Sequence, residues 1–126
     1  MSILVVGSVA IDSIETPTQT RDNVLGGSAT HFSYAASFFA AVKLVGAVGD
    51  DFPQEHVSLL RERDIDLAGL QVIKGSKTFF WKGKYLPNMN DRETLEVQLN
   101  VFGTFDPQVP EQFRRSPLVF LANGAP

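Results

Sequence analysis

The chain has 126 residues, enough for one domain with a real core. Hydrophobic residues make up 44% and charged residues 20%, a globular composition, and the net charge is -3. The chain has no basic cluster, which argues against nucleic acid or an anionic membrane surface as a partner, and its lack of cysteine excludes disulfides and thiolate chemistry. The opening "MSILVVGSVAID" has no positive n-region, since the first basic residue is Arg21, and its apolar run is too short to span a bilayer before Asp12. A cytoplasmic location without a membrane partner is therefore expected.

Ile3 to Val6 is a continuous β-branched and leucine run stopped by Gly7. This is the pattern of a parallel-sheet strand buried on both faces. Just past its carboxyl end, in "GSVAID", lies Asp12. Ligands of open α/β sheets gather at that rim, where a carboxylate can accept two hydroxyl hydrogen bonds from a polyol. A plain turn aspartate is the other reading.

In "VLGGSATHFSYAASFF" two glycines precede small polar residues and an apolar helical pattern. Ala29, Phe32, Ala36 and Phe39 share a face, with Ala35 and Phe38 beside them, so a helix is expected over about Ser28 to Ala41. The segment lacks the lysine of a phosphate-binding P-loop, and the first strand is followed by a single glycine where a dinucleotide fingerprint needs more. Ser28 is the expected N-cap, its hydroxyl accepting the His31 N–H. Gly26 and Gly27 allow positive φ and close approach of a ligand to backbone. A bare helix cap and a pocket floor both fit these residues. His31 fits a hydrogen-bonding pocket wall or a satisfied structural histidine. A general base is conceivable, but no nucleophile accompanies it. Metal binding is not expected, because the only other histidine, His56, falls on another helix.

Val42 to Gly49 reads as a second buried strand, and "DDFPQEHVSLLRERD" as a second helix. There Asp51 and Gln54 resemble a capping box, Asp50 and Asp51 favour the helix dipole, and Val57, Leu60 and the Arg61 stem form the inner stripe. This β-α-β-α order favours a parallel sheet. Leu70 to Ile73, Lys77 to Tyr85 and Glu93 to Phe102 then read as strands. The last alternates, with Leu95, Val97, Leu99 and Val101 on one face, so an antiparallel hairpin with an apolar face is expected. Phe79, Phe80 and Trp81 could stack on a ligand or pack the hairpin. "FDPQVPEQFRRSP" is a loop with one helical turn, and "LVFLANGAP" another buried strand, with Asn123 on the same kind of rim as Asp12. Two helices for at least three buried strands lead us to expect part of a larger domain.

In order and spacing, "ILVVGSVAID", "LGGSATHFSYAASFFA", "VKLVGAVGDDFP", the hairpin through "KTFFWKGKY" and "ETLEVQLNVF", and "LVFLANGAP" resemble the N-terminal part of the ribokinase-like, or PfkB, carbohydrate kinases, along essentially the whole chain. The resemblance implies an α/β, partial ribokinase-like fold: a parallel sheet with flanking helices plus a small antiparallel β lid. The core would cover about 1–10, 24–69 and 103–126, and the lid about 11–23 and 70–102.

The resemblance implies that Asp12 holds substrate hydroxyls, and that Gly26 and Gly27 are a hinge with backbone near the substrate. Ser28 and the first helical turn would line the sugar pocket, with Asn123 among the substrate-binding residues. The lid would close over a sugar or nucleoside and supply a homodimer contact. His31 stands where the family usually has Asn; an imidazole can donate one hydrogen bond and accept another, so substrate contact is expected to survive, with the identity of the acceptor left open. The family's Gly-Ala-Gly-Asp stretch, which carries the catalytic base, does not occur in this chain. The nucleotide-binding half is expected to be absent with it. No catalytic, cofactor-binding or metal-binding residue is therefore expected here, MgATP is implied for the full-length enzyme only, and the chain alone is expected to be inactive. The function implied is the sugar-binding part of an ATP-dependent carbohydrate or nucleoside kinase. The alternative is a non-enzymatic small-ligand or protein-interaction module.

Overall fold

The computed structural model describes residues 1–124; Ala125 and Pro126, the end of "LVFLANGAP" and of the expected core segment 103–126, lie outside the described residues. In chain order the first elements are β1 (Ser2–Val6), β2 (Ala10–Glu15), β3 (Thr20–Gly26), α1 (Ser28–Ala36), β4 (Ala41–Gly49) and α2 (Gln54–Glu62). They are followed by β5 (Asp66–Ile73), β6 (Phe79–Tyr85), β7 (Arg92–Gln98), two 3-10 turns at Asn100–Thr104 and Glu111–Phe113, and β8 (Leu118–Leu121).

The strands form two four-stranded sheets. The first, in the order β5-β4-β1-β8, is parallel throughout. Its β-branched strands give it a core: Val5, Val42, Leu44 and Val48 pack with Ala29 of α1 and Leu60 of α2. On a separate cluster, Leu4 and Val45 meet Phe113. The second sheet runs β3-β2-β6-β7. Its outer pairs are antiparallel but its central pair, β2 with β6, is parallel, so the expected antiparallel lid is a mixed sheet. The chain enters β6 from β5 of the other sheet, which lets β6 run alongside β2 in the same direction.

Several expectations about the elements are corrected. α1 stops at Ala36 instead of Ala41, because the Phe39 N–H bonds the Ala36 carbonyl and tightens the last turn into the reversal before β4. Residues 70–73, expected in the lid, continue β5 in the parallel sheet, where Leu70 pairs with Gly46. Residues 24–26, expected in the core, end β3 of the second sheet. The strand expected over Glu93 to Phe102 is interrupted: β7 ends at Gln98, and Asn100 takes positive φ into a 3-10 turn. Val101 is thereby buried, while Leu95, Val97 and Leu99 are exposed. β8, expected to be buried, is exposed from Leu118 to Leu121; among the described residues only β1 pairs with it, and no helix covers all of its side chains.

Asp50 and Asp51 do not cap α2, whose N-cap is Pro53, and the Asp51–Gln54 capping box does not form. Both carboxylates turn toward the approach to β6. Asp50 accepts the Gly75 N–H at 2.8 Å. Asp51 accepts the N–H and the hydroxyl of buried Thr78 at 2.8 and 2.7 Å. The Thr78 oxygen accepts the Gly49 N–H at 3.0 Å, and its carbonyl accepts the Asn100 side-chain amide at 2.9 Å. One buried threonine thus joins the end of β4 to the two strands' connections into and out of the second sheet. The inner face of α2 carries His56 and Leu60; Val57 is half-buried and Arg61 exposed.

Candidate functional site

A cavity of about 600 Å³ lies between the second sheet and the amino end of α1. Asp12, Gly27, Ser28, His31 and Asn123 all line it, so five of the six residues singled out from the sequence converge. The sixth, Gly26, stands behind Asp12: the two strands bring them so close that a Cβ at Gly26 would overlap the carboxylate.

The α1 end of the cavity is knotted by two serines. Ser28 is the first helical residue, not the N-cap; Gly27 is the N-cap, at φ 99° and ψ 143°. The His31 N–H bonds the Gly27 carbonyl, so the expected Ser28 cap is absent. The Ser28 hydroxyl lies 2.8 Å from the Ser8 hydroxyl and accepts the Asn123 N–H at 3.0 Å. The Ser28 N–H donates to the Ser8 oxygen at 2.9 Å, and the Ala29 N–H to the Ser8 carbonyl at 3.0 Å. The loops after β1 and β8 are therefore pinned to the helix start. A Cβ at Gly27 would strike the Ser8 carbonyl, which explains the glycine there.

The opposite wall comes from the second sheet. The parallel register sets Ala10, Asp12 and Ile14 opposite Phe79, Trp81 and Gly83. Opposed residues share a face, and residues two apart along a strand stay on it. Phe79, Trp81 and Tyr85 all line the cavity, joined by Arg92, which pairs with Tyr85 across β6 and β7. The Arg92 guanidinium lies over the Trp81 indole, 5.5 Å from its centroid. Burial pushes the Asp12 carboxyl above its ordinary range, and the neighbouring His31 and Arg92 oppose that shift.

Sequence reasoning missed Ser8, Tyr85 and Arg92. Asp12, expected at the rim past β1 or in a turn, lies within β2 of the second sheet; it is Ser8 that sits just past the end of β1, where the rim argument applied. Tyr85 and Arg92 carried no local signal; strand register alone brings them in.

The site can hold a hydroxyl-rich molecule: one half-buried acceptor carboxylate, several donors and aromatic surface surround a space of suitable size. Among the described residues no group of three or more His, Cys, Asp or Glu is placed to hold a metal ion. No helix among them is long and apolar enough to cross a membrane.

A parallel sheet carrying this rim site, with a second sheet over it, is the N-terminal part of the ribokinase-like fold, the fold of the PfkB kinases. The nucleoside kinase of Methanocaldococcus jannaschii, an archaeal member of the ribokinase family, superposes with a TM-score of 0.73 at 18% identity over 98% of this chain and 45% of its own. The fructokinase of Halothermothrix orenii gives 0.71 at 18% over 96% of this chain and 46% of its own. The Burkholderia thailandensis nucleoside kinase in complex with inosine gives 0.72 at 18% over 81% and 36%. In sequence, a cytidine kinase of Thermococcus kodakarensis is 33% identical over 76 residues, 60% of this chain and 27% of that protein. No family model matches the chain. The chain thus spans about a quarter of this curated relative and less than half of these solved structures.

Proposed function

We propose that the chain is the acceptor-binding part of an ATP-dependent kinase that phosphorylates a hydroxyl of a sugar or nucleoside. The observation that carries this reading is the Asp12 carboxylate, half-buried in the cavity between the two sheets and flanked by His31 and Arg92. Similarity to nucleoside kinases and a fructokinase supports it.

Asp12 accepts hydrogen bonds from two acceptor hydroxyls, and the Arg92 guanidinium beside it favours the carboxylate against the effect of burial. Gly26 and Gly27 let backbone approach the acceptor, Ser28 and Asn123 close the floor, and His31 donates or accepts one hydrogen bond. The second sheet covers the acceptor and keeps water from it. MgATP would supply the transferred phosphoryl group; in this cavity the Asp12 carboxylate would face its phosphates, so the cavity is assigned to the acceptor and not to the nucleotide. In this reading the nucleotide and the catalytic base belong to other parts of a longer protein, the chain alone does not turn over, the enzyme is cytoplasmic, and the exposed Leu95, Val97 and Leu99 form a homodimer contact.

Saturation-transfer NMR and calorimetry on the folded chain, with D-ribose, D-fructose, cytidine and inosine, test the acceptor role. At least one compound should bind, and Asp12→Ala should weaken it about tenfold or more, as expected for a lost hydrogen bond to a charged group. Binding that is unchanged in Asp12→Ala, or no binding at all, refutes the assignment.

A further inference from the structure

We propose that the Trp81 indole is a stacking platform for a planar heteroaromatic ring of the acceptor, so that the site takes nucleosides in preference to free sugars. This rests on the reading of the cavity as an acceptor site.

The first observation is register. Asp12 and Trp81 are directly opposed on neighbouring strands, whose separation is about 4.8 Å. A ligand whose hydroxyls meet Asp12 has its next ring beside the indole. A nucleoside has that connectivity; a free sugar ends at Asp12.

The second is the posture of the ring. A Cβ at Gly83 would overlap the six-membered ring of Trp81, so the indole lies flat along the sheet over a glycine that leaves room for it. The indole N–H donates to the Thr94 hydroxyl at 3.3 Å, fixing the ring in its plane. Such a ring presents its face, not its edge, to the cavity. Phe79 also lines the cavity, but one of its faces is taken by Phe102, with centroids 5.0 Å apart.

The third is what covers that face. A guanidinium over an indole is itself a planar cation on a π surface, and here Arg92 Cζ sits 5.5 Å from the centroid. A ring inserted between them needs about 3.5 Å on each side, so Arg92 must lift by roughly 1.5 Å. It can do so, because β7 is exposed along its whole length and the side chain is long. The bound state is an indole–base–guanidinium sandwich, with Asp12 holding the sugar hydroxyls.

Trp81 is the only tryptophan in the chain, so its emission reports this site alone. The chain is titrated with cytidine, inosine, D-ribose and D-fructose, following tryptophan fluorescence and, in parallel, saturation-transfer NMR. The nucleosides should quench the emission and bind about five- to 150-fold more tightly than D-ribose, the range of one base–aromatic stack. Trp81→Leu should bring cytidine and D-ribose to the same affinity. Gly83→Ala keeps the fluorophore but displaces it, and should shrink both the quench and the nucleoside advantage. If D-ribose binds in an Asp12-dependent way while nucleosides bind no better, or bind without changing the emission, the platform is refuted and the acceptor-site reading stands. If none of the four binds, both fall.

Discussion

Gly27→Ala tests the junction on which the site is built. Gly27 has φ 99° and ψ 143°, a region that residues with a side chain rarely enter. Strain of this kind costs about 1–3 kcal/mol. The new methyl also meets the Ser8 carbonyl, which must retreat and loosen its bond from the Ala29 N–H. That bond adds about 1 kcal/mol, so the total is about 2–4 kcal/mol. For a domain of this length, 1 kcal/mol lowers Tm by about 4 °C. Differential scanning fluorimetry should therefore show a fall of about 8–16 °C. Gly75→Ala is the matched control: Gly75 also has positive φ, at 75°, but an added Cβ there has nothing within 4 Å. It carries the conformational term alone, about 1 kcal/mol and about 4 °C. If Gly27→Ala loses no more than Gly75→Ala, the close approach to Ser8 is not what constrains this position.

Two further outcomes are expected. Burial raises the Asp12 carboxyl above its ordinary 3.8, so the folded chain binds that proton more tightly than the unfolded chain. Below that value both states are protonated and Asp12 has no effect; as pH rises through the raised folded value, its ionisation costs stability that stays lost above it. Asp12→Asn should accordingly match the parent chain near pH 3.5 and exceed it in Tm at pH 7; a mutant relatively less stable at pH 7 would contradict the burial argument. Phe113 is fully buried against Leu4 and Val45, so Phe113→Ala should cost about 3–5 kcal/mol in urea unfolding, and a loss under 1 kcal/mol would remove it from the core.

The sequence was most legible where periodicity and chemistry agreed. The Ile3–Val6 and Val42–Gly49 runs lie in β1 and β4, and Asp12, Gly27, Ser28, His31 and Asn123 meet in one cavity. It failed where distant partners decide. Ser28 looked like a cap because serine caps helices locally, yet the Ser8 hydroxyl and the Asn123 N–H, far off in sequence, claim its oxygen. Asp51 likewise leaves α2 for Thr78. Alternation along Glu93 to Phe102 ran through a strand end, because a register shift opposite Lys82 and Gly83 and the positive φ of Asn100 leave no trace in a hydrophobic pattern. Arg92 needed the register itself, which only the assembled sheet supplies.

The place of β1 in its sheet has a consequence for how the chain is made. β1 is flanked by β4 and β8, and its Ile3 pairs with Leu118. During synthesis at about 5–20 residues per second, roughly 6–23 s separate the emergence of the two partners. Over that interval one edge of an apolar central strand has no neighbour, and β2 likewise awaits β6. Non-local parallel pairing of this kind folds slowly. On the growing chain β1 therefore has β4 as a neighbour well before β8 can pair with its other edge.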